Sequence, residues 1–144
     1  MALHLLKLCV GAESIVDLEE WIAERMAAKK KRGEPQEHIH TTRMTPKRIE
    51  ELLDGGSLYW VIKGQIAARE KLLDIRPFTD AEGIGRTDLV LDGKVVPVMP
   101  RPFRPFQGWR YLQANDAPAD LGRASAVAEM PEELRRELRE MGLL

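Results

Sequence analysis

The chain has few of the features that would place it outside the cell or in a membrane. It has a single cysteine, Cys9, so no internal disulfide can form and nothing marks an oxidising compartment. Residues 1–7 lack the basic start, the long apolar stretch and the cleavage site of a secretory signal. No apolar run approaches the roughly 20 residues that span a bilayer. We therefore expect a cytoplasmic protein that does not contact a membrane.

Net charge is also nearly absent. The 22 basic and 23 acidic residues give a formal charge of −1 at pH 7, which excludes a global electrostatic bias toward nucleic acid or anionic lipid. The charges are unevenly spread, because the segment 93–115 contains basic residues and no acidic one. If the fold has a positive face, this segment supplies part of it.

The length indicates one domain. At 144 residues the chain is close to the common size of a single domain, and a chain of this size buries roughly 70% of its unfolded surface. The composition is ordinary for a globular protein, with 44% hydrophobic and 31% charged residues. We expect residues 1–144 to form a single domain that is stable without a metal ion or disulfide.

The N-terminal third predicts a strand, a long helix and a second strand. The apolar run 3–10 is typical of a buried strand. Ser14 and Asp17 resemble a capping box, and a helical apolar pattern follows as far as Met26. We predict a helix from Ser14 to about Arg32, and a β-prone strand over 38–44.

A short helix and a β-rich region follow. Thr45 as the cap and Pro46 as the first helical residue predict a helix start, and Gly55–Gly56 ends that helix. Residues 57–63 have strong β propensity, and Gly64 breaks the strand. The segment 65–75 is ambiguous: it suits either a returning strand or a helix.

The next region contains the clearest turn signal and a proline-rich stretch. The runs 89–91 and 94–96 flank Asp92-Gly93, which predicts a β-hairpin. The prolines that follow exclude a regular central strand, so this stretch is extended on an edge or in a loop. They are Pro97, Pro100, Pro102 and Pro105.

The C-terminal part predicts a short strand over 109–112 and an amphipathic helix with Leu134, Leu138 and Met141 on one face. Together the elements predict an α+β fold. Its centre is a small mixed or antiparallel β-sheet, or a pseudo-barrel, flanked by a long N-terminal helix and a C-terminal helix.

The most distinctive segment is 101–111, in which three arginines alternate with aromatic residues. Single-stranded nucleic acid is bound by this chemistry, with arginines on phosphates and aromatic faces under bases. The alternative is an extended edge whose aromatic rings fill the core while the arginines face water.

Two histidines and the cysteine are further candidates. His38 and His40 share one face of their predicted strand and could hold a metal ion with His4 or a carboxylate, although a hydrogen-bonded or exposed pair is the favoured interpretation. Cys9 lies in an apolar strand, where a cysteine acts as a small hydrophobic residue. From these patterns we predict no catalytic residue, no metal site and no cofactor.

Three segments carry a resemblance to an uncharacterised bacterial family of about 150 residues. They are Leu-His-Leu-Leu-Lys-Leu-Cys-Val-Gly-Ala-Glu-Ser at 3–14, Gly-Ser-Leu-Tyr-Trp-Val-Ile-Lys-Gly-Gln-Ile-Ala-Ala-Arg at 56–69, and Arg-Pro-Phe-Arg-Pro-Phe-Gln-Gly-Trp-Arg-Tyr-Leu at 101–112. The resemblance covers nearly the whole chain. It implies no activity, because the function of that family is unknown.

Residues 45–76 also resemble the opening of a PUA-like domain, with a short helix, a double glycine, a strand, a turn at Gly64 and a second strand. PUA, ASCH and EVE domains are small pseudo-barrels that bind RNA or modified bases in a cleft. The resemblance therefore implies a nucleic-acid or nucleotide-binding module. The residues expected to bind phosphates or stack on bases are Arg43, Trp60, Lys63, Arg69, Arg101, Arg104, Trp109, Arg110 and Tyr111.

Two other functions remain open. One is an enzyme acting on a small anionic substrate, with His38 and His40 as acid/base groups and Arg43 as an anion clamp. Its weakness is that the sequence shows no nucleophile and no complete set of metal ligands. The other is an interaction protein that docks through its C-terminal helix.

Overall fold

A computed structural model describes residues 2–121 and, beyond them, the exposed residues Glu133, Arg136 and Glu140. The predicted stripe of Leu134, Leu138 and Met141 lies outside the described residues. The strands are β1 (Leu3–Leu8), β2 (His38–Thr42), β3 (Ser57–Ile62), β4 (Gln65–Thr79), β5 (Gly85–Leu91), β6 (Val96–Pro102) and β7 (Trp109–Gln113). The helices are α1 (Ile15–Lys31) and α2 (Ile49–Leu53), and a 3-10 turn follows at Ala114–Asp116.

The described strands form one mixed seven-stranded sheet. Its order is β2-β5-β4-β3-β1-β7, and β6 also pairs with β4. Only the β1–β3 pair is parallel among these described pairings, and the others are antiparallel. Because the order is an open path, the mixed-sheet alternative describes the fold and a closed barrel does not.

Helix α1 begins and ends where its sequence signals lie. The Ser14 hydroxyl accepts a hydrogen bond from the Asp17 amide at 3.1 Å, which satisfies one of the free amides of the first turn. The helix buries Ile15, Leu18 and Ile22 against the sheet. Its last turn carries three lysines, which are favourable at the negative end of the helix dipole.

The ambiguous segment 65–75 is a strand. Lys63 and Gly64 have positive φ angles of 50° and 75°, so they form a two-residue turn that pairs Ile62 with Gln65. The first part of β4 then lies between β3 and β6. Pairing on both edges outweighs the helix propensity of Ala67 and Ala68.

The predicted hairpin at Asp92-Gly93 is wrong. β5 and β6 do not pair with each other: both run antiparallel to β4, β5 opposite Leu72–Thr79 and β6 opposite 65–69. The chain therefore continues in one direction through Gly93, whose φ angle is 78°. Because β4 is 15 residues long, it offers successive partners that a local turn pattern cannot reveal. The prolines lie in or just after β6, whose outer edge makes only an isolated bridge from Val98 to Asp120.

The predicted start of α2 is also wrong. The helix begins after Arg48, which makes no side-chain cap hydrogen bond. Thr45 instead pairs its hydroxyl with that of Thr87, and Pro46 is buried ahead of the helix. Because Thr45 contacts Thr87 on β5, it does not act as the cap of α2.

The two faces of the sheet carry different cores. We call the face packed on α1 the inner face; its buried residues include Leu5, Trp60 and Leu89. We call the opposite face the outer face; it carries Leu6 and Tyr59, together with the partly buried Phe103 and Phe106. No helix within residues 2–121 is long and apolar enough to cross a membrane.

Candidate functional site

A buried carboxylate lies at the centre of the inner face. Glu70 is 0% exposed. Its Oε2 lies 2.7 Å from Nδ1 of His38, and its Oε1 accepts a hydrogen bond from Trp60 Nε1 at 3.0 Å. A buried carboxylate is tolerated only when such partners compensate for its lost hydration. Strands β2, β3 and β4 each contribute one member of this cluster.

Sequence reasoning missed Glu70. Its neighbours Arg69 and Lys71 are also charged, and the only sequence signal is the strand period that places Glu70 on one face with Ala68 and Leu72. Once that stretch is a strand whose partner Leu58 is buried, Glu70 has to lie in the interior. The buried carboxylate is a hydrogen-bond partner of His38 that the sequence does not identify.

His40 lies beside the same cluster. Its ring meets that of Trp60 edge-on, with 5.1 Å between the centroids. Burial, together with the positive charges of Lys7, His38 and Arg25, lowers the pKa of His40 to about 4. His40 is therefore neutral at physiological pH.

Both histidines have an unpartnered nitrogen. The Nε2 atoms of His38 and His40 are buried and have no hydrogen-bond partner among the described residues. Most buried polar side-chain atoms in proteins are hydrogen-bonded, so an exception calls for an explanation. Two such atoms on one face of one strand indicate where a further polar group would bind.

A cavity of about 280 Å³ lies between α1 and the start of β2. It is bordered by three basic side chains, one carboxylate and His38. The residues are Arg25, Ala28, Lys29, Arg32, Glu37 and His38. The cavity thus connects the surface of α1 with the buried histidine–glutamate pair.

The charged side chains around this cavity differ in whether they have an ionic partner. The Glu37 carboxylate pairs with Arg76 at 2.9 Å, and the Lys29 ammonium donates to the Glu37 carbonyl. Arg32 is paired with Glu34. Arg25 makes no ion pair with a described residue; its guanidinium lies 3.7 Å from the centroid of the Trp21 ring. The cavity therefore has a positive border in which two cations, Arg25 and Lys29, have no carboxylate partner among the described residues.

Trp21 joins that cation to the cluster. Its ring meets the His38 ring edge-on at 6.5 Å. The contacts run continuously from Arg25 through Trp21 and His38 to Glu70. We call these four residues, together with Lys29, Arg32 and His40, the α1–β2 site.

The aromatic residues of 101–111 are divided between the two faces. Trp109 and Tyr111 lie on the inner face opposite Lys7 and Leu5, whereas Phe103 and Phe106 pack in the outer core. Trp109 donates a hydrogen bond to the Met44 carbonyl at 2.7 Å. The Tyr111 hydroxyl accepts from the amides of Lys47 and Arg48 at 3.0 and 3.3 Å. Both rings therefore hold the segment 43–48 across the sheet.

Trp60 is 1% exposed, so it is a core residue as the structure stands. Close to it, Lys7 is half-buried on the neighbouring strand and pairs in register with both Trp60 and Trp109. Burial lowers the pKa of Lys7, and its ammonium has no carboxylate partner within the described part of the chain. Lys7 is a further unneutralised cation on the inner face.

The predicted phosphate-binding cations are scattered. Arg69 is held by a bidentate contact with Asp120 at 2.8 and 2.7 Å, and Arg101 donates to the Asp116 carbonyl. The others make no ion pair with a described residue. They are Arg43 after β2, Lys63 in the β3–β4 turn, Arg104 after β6, and Arg110 on β7.

The structure does not bring the predicted arginines and aromatic residues to one place. Arg110 pairs in register with Leu6, so it lies on the outer face, where its guanidinium is 5.5 Å from the Phe106 ring centroid. Trp109 and Tyr111, its neighbours in sequence, lie on the inner face. Within β7 the alternation of Trp109, Arg110 and Tyr111 follows the two-residue period of a strand.

The other candidates have structural partners. Cys9 is buried, and burial together with the negative charge of Glu70 raises its pKa to about 11. His4 is not near His38 and His40: it accepts a hydrogen bond from the Ser57 amide at 3.0 Å and meets Tyr59 on the outer face. Among the described residues, no three histidine, cysteine or acidic side chains are grouped to hold a metal ion.

Comparison with known proteins places the chain in a family. A family profile described as a protein of unknown function, DUF1489, matches residues 5–144. The chain belongs to the DUF1489 family. This confirms the resemblance to an uncharacterised family of about 150 residues. The DUF1489 chain has no significant match among curated proteins or solved structures.

Proposed function

We propose that this DUF1489 protein binds a nucleotide, a phosphorylated nucleoside, in the α1–β2 site. The observation that carries the proposal is the cavity of about 280 Å³, which is bordered by cationic side chains along α1 and by the buried imidazole of His38. Its volume is at the lower end of the range for small-molecule sites. The two parts of the site match the two parts of a nucleotide.

The cationic border supports binding of the phosphate. Arg25, Lys29 and Arg32 lie at successive positions on one side of α1, and the one carboxylate at the cavity, Glu37, is already paired with Arg76. An arginine is suited to phosphate because its planar donors make paired hydrogen bonds to phosphate oxygens. Arg25 is the side chain whose charge remains available.

The buried end supports binding of the base. His38 borders the cavity and has a buried ring nitrogen without a partner among the described residues, and the Trp21 ring meets the His38 ring edge-on. Nucleobases combine a flat apolar face with polar edges, and proteins bind them by stacking and by a few hydrogen bonds. A small inorganic anion would use only the cationic border.

This proposal narrows the PUA-like hypothesis to a nucleotide-sized ligand. A nucleic-acid strand would need cations and aromatic rings along one continuous surface, and the segment 101–111 divides them between two faces. Arg110 on the outer face and Arg104 after β6 make no ion pair with a described residue. They are the best candidates for a strand-binding surface and therefore serve as the comparison in the test.

The test is calorimetric titration of the protein with mononucleotides and with a short single-stranded RNA at two salt concentrations. We expect saturable binding of a mononucleotide that weakens about tenfold in Arg25→Gln, because one phosphate contact is lost. The double variant R104Q/R110Q is the matched control and should bind the mononucleotide normally. RNA binding that is lost in R104Q/R110Q and unchanged in Arg25→Gln would contradict the proposal.

A second candidate function is general-base catalysis by His38. It is favoured by the 2.7 Å contact with Glu70, since a carboxylate that orients a histidine is a common catalytic arrangement. The expected result is turnover of a bound nucleotide that is abolished in His38→Ala even at a saturating concentration of the nucleotide. Binding without turnover would leave the protein as a nucleotide-binding module.

A further inference from the structure

We infer that the nucleotide bound in the α1–β2 site carries an amino-bearing base, adenine or cytosine, and that Glu70 determines this preference by fixing the tautomer of His38. The inference rests on the proposed function and adds the chemical class of the base. It depends on which ring nitrogen of His38 carries the proton. That choice is made by the hydrogen bond to Glu70.

The contact with Glu70 defines the hydrogen-bonding state of His38. A carboxylate accepts hydrogen bonds, and Oε1 of Glu70 already accepts one from the Trp60 indole. Oε2 lies 2.7 Å from Nδ1 of His38, which places the proton on Nδ1. In a neutral imidazole ring the hydrogen bond at one nitrogen sets the state of the other, so in that ring Nε2 carries a lone pair and is an acceptor.

This acceptor is unused in the protein. His38 is 2% exposed, and its Nε2 has no hydrogen-bond partner among the described residues. A buried acceptor without a partner costs free energy, because it has lost its hydrogen bonds to water. A ligand group that donates a hydrogen bond recovers this cost, whereas a ligand carbonyl at the same place leaves two acceptors facing each other.

His40 lies on the same strand face as His38, and its Nε2 is also buried without a partner among the described residues. Because burial and nearby positive charges lower the pKa of His40 to about 4, it is a neutral ring at pH 7. No hydrogen bond within the described residues fixes the tautomer of His40, so the preference is assigned to His38 alone.

The amino group distinguishes bases that are otherwise alike. Adenine and cytosine present an amino donor where hypoxanthine and uracil present a carbonyl oxygen. The matched pairs are therefore AMP against IMP and CMP against UMP, which share their sugar and phosphate. Sites that hydrogen-bond a specific ligand group strongly reject the analogue that lacks it.

The experiment compares these four nucleotides by calorimetry with the wild-type protein and Glu70→Gln. We expect wild type to bind AMP at least about tenfold more tightly than IMP. In Glu70→Gln the amide oxygen still accepts from Trp60, and the amide nitrogen donates to Nδ1 of His38. The proton then moves to Nε2, and the preference should reverse toward IMP and UMP.

Trp60→Phe is the control, because it removes the other hydrogen bond to Glu70 and leaves the carboxylate facing His38. It should keep the preference for AMP. The tautomer is also measured directly in the wild-type protein by the nitrogen-15 chemical shifts of His38, which keeps the inference testable if Glu70→Gln does not fold.

The outcomes separate the two proposals. Equal binding of AMP and IMP, or a proton found on Nε2 of His38 in the wild-type protein, overturns the inference and leaves nucleotide binding intact. Failure of all four nucleotides to bind overturns the proposed function itself. A tenfold preference for AMP that reverses in Glu70→Gln supports both.

Discussion

Trp60 and Glu70 lie on the two strands of the β3–β4 hairpin, and the indole Nε1 of Trp60 donates a hydrogen bond to Glu70 Oε1 at 3.0 Å. Glu70 pairs in register with Leu58, so Trp60 is its diagonal neighbour on the same face. The second carboxylate oxygen lies 2.7 Å from His38 on β2. One buried carboxylate therefore links the β3–β4 hairpin to β2, which lies two places from β4 in the sheet, beyond β5.

This arrangement predicts that Glu70→Ala is strongly destabilising. The substitution leaves the Trp60 indole and Nδ1 of His38 without a partner in the interior, and each buried polar group left unsatisfied typically costs about 1–3 kcal/mol. Urea unfolding followed by circular dichroism measures the loss. Glu70→Gln keeps an acceptor for Trp60 and should cost less, so an equal loss in the two variants would show that the side-chain volume matters rather than the hydrogen bonds.

The stability of the fold should fall as the pH drops below about 6.5. The pKa of His40 in the folded state is about 4, below its ordinary value, so the unfolded chain takes up a proton first as the pH falls. The contribution of His40 to the free energy of unfolding is therefore fully present above its unfolded pKa. It is lost as the pH falls from that value to pH 4, with a total of about 3 kcal/mol. Denaturant unfolding at several pH values tests this.

His40→Gln should flatten that pH dependence. His4 contributes in the same direction, because burial and the positive charge of Arg69 lower its pKa, so His4→Gln is the comparison variant and the slope does not vanish in either one. A pH profile that is identical in His40→Gln and wild type would contradict the assignment.

Gly56→Ala should be among the most damaging small substitutions. A Cβ atom at this position would overlap the backbone carbonyl oxygens of Leu52 and Leu3, where the end of α2 meets β1. Backbone atoms of two elements cannot both move aside cheaply, so we expect a loss of about 3 kcal/mol or more in the free energy of unfolding.

Gly85→Ala is the control for Gly56→Ala. Its Cβ would meet nothing within 4 Å, and its backbone does not have a positive φ angle. The expected change is within about 1 kcal/mol. Similar melting temperatures for the two variants would show that the contact at the end of α2 relaxes easily.

Cys9 should react slowly with thiol reagents in the folded protein. Burial and the charge of Glu70 raise its pKa to about 11, and the thiolate is the reactive form. At pH 8 the thiolate fraction is therefore about 100-fold lower than for a free cysteine whose pKa lies two units lower. Alkylation followed by mass spectrometry should be fast in urea and slow without it, and fast modification of the folded protein would contradict this.

Local sequence signals were sufficient where an element depends on its own residues. The Ser14–Asp17 cap and the apolar spacing of residues 15–26 predict α1 within one residue at its start. The run 57–62 and the break at Gly64 likewise predict β3 and its turn. These signals fail where a distant strand supplies the partner. Asp92-Gly93 looks like a hairpin turn, but β4 is long enough to pair with β5 and β6 in succession.

The candidate site likewise combines features that local sequence predicts with features that depend on residues distant in the chain. The sequence itself identifies His38 and His40 as neighbours on one strand face, since alternate residues of a strand point to the same side. It does not identify Glu70 or Arg25 as their neighbours, because these residues come from β4 and α1 and meet the histidines only when the sheet and the helix pack together.

By itself the sequence determined the positions of most strands, the ends of α1 and membership of the DUF1489 family. These depend on short-range propensity, on the period of apolar residues and on direct similarity. Only the tertiary structure decided which strands pair, that Trp109 and Arg110 lie on opposite faces of the sheet, and that a carboxylate is buried against His38. Those facts depend on contacts between residues far apart in the chain, and no local pattern specifies them.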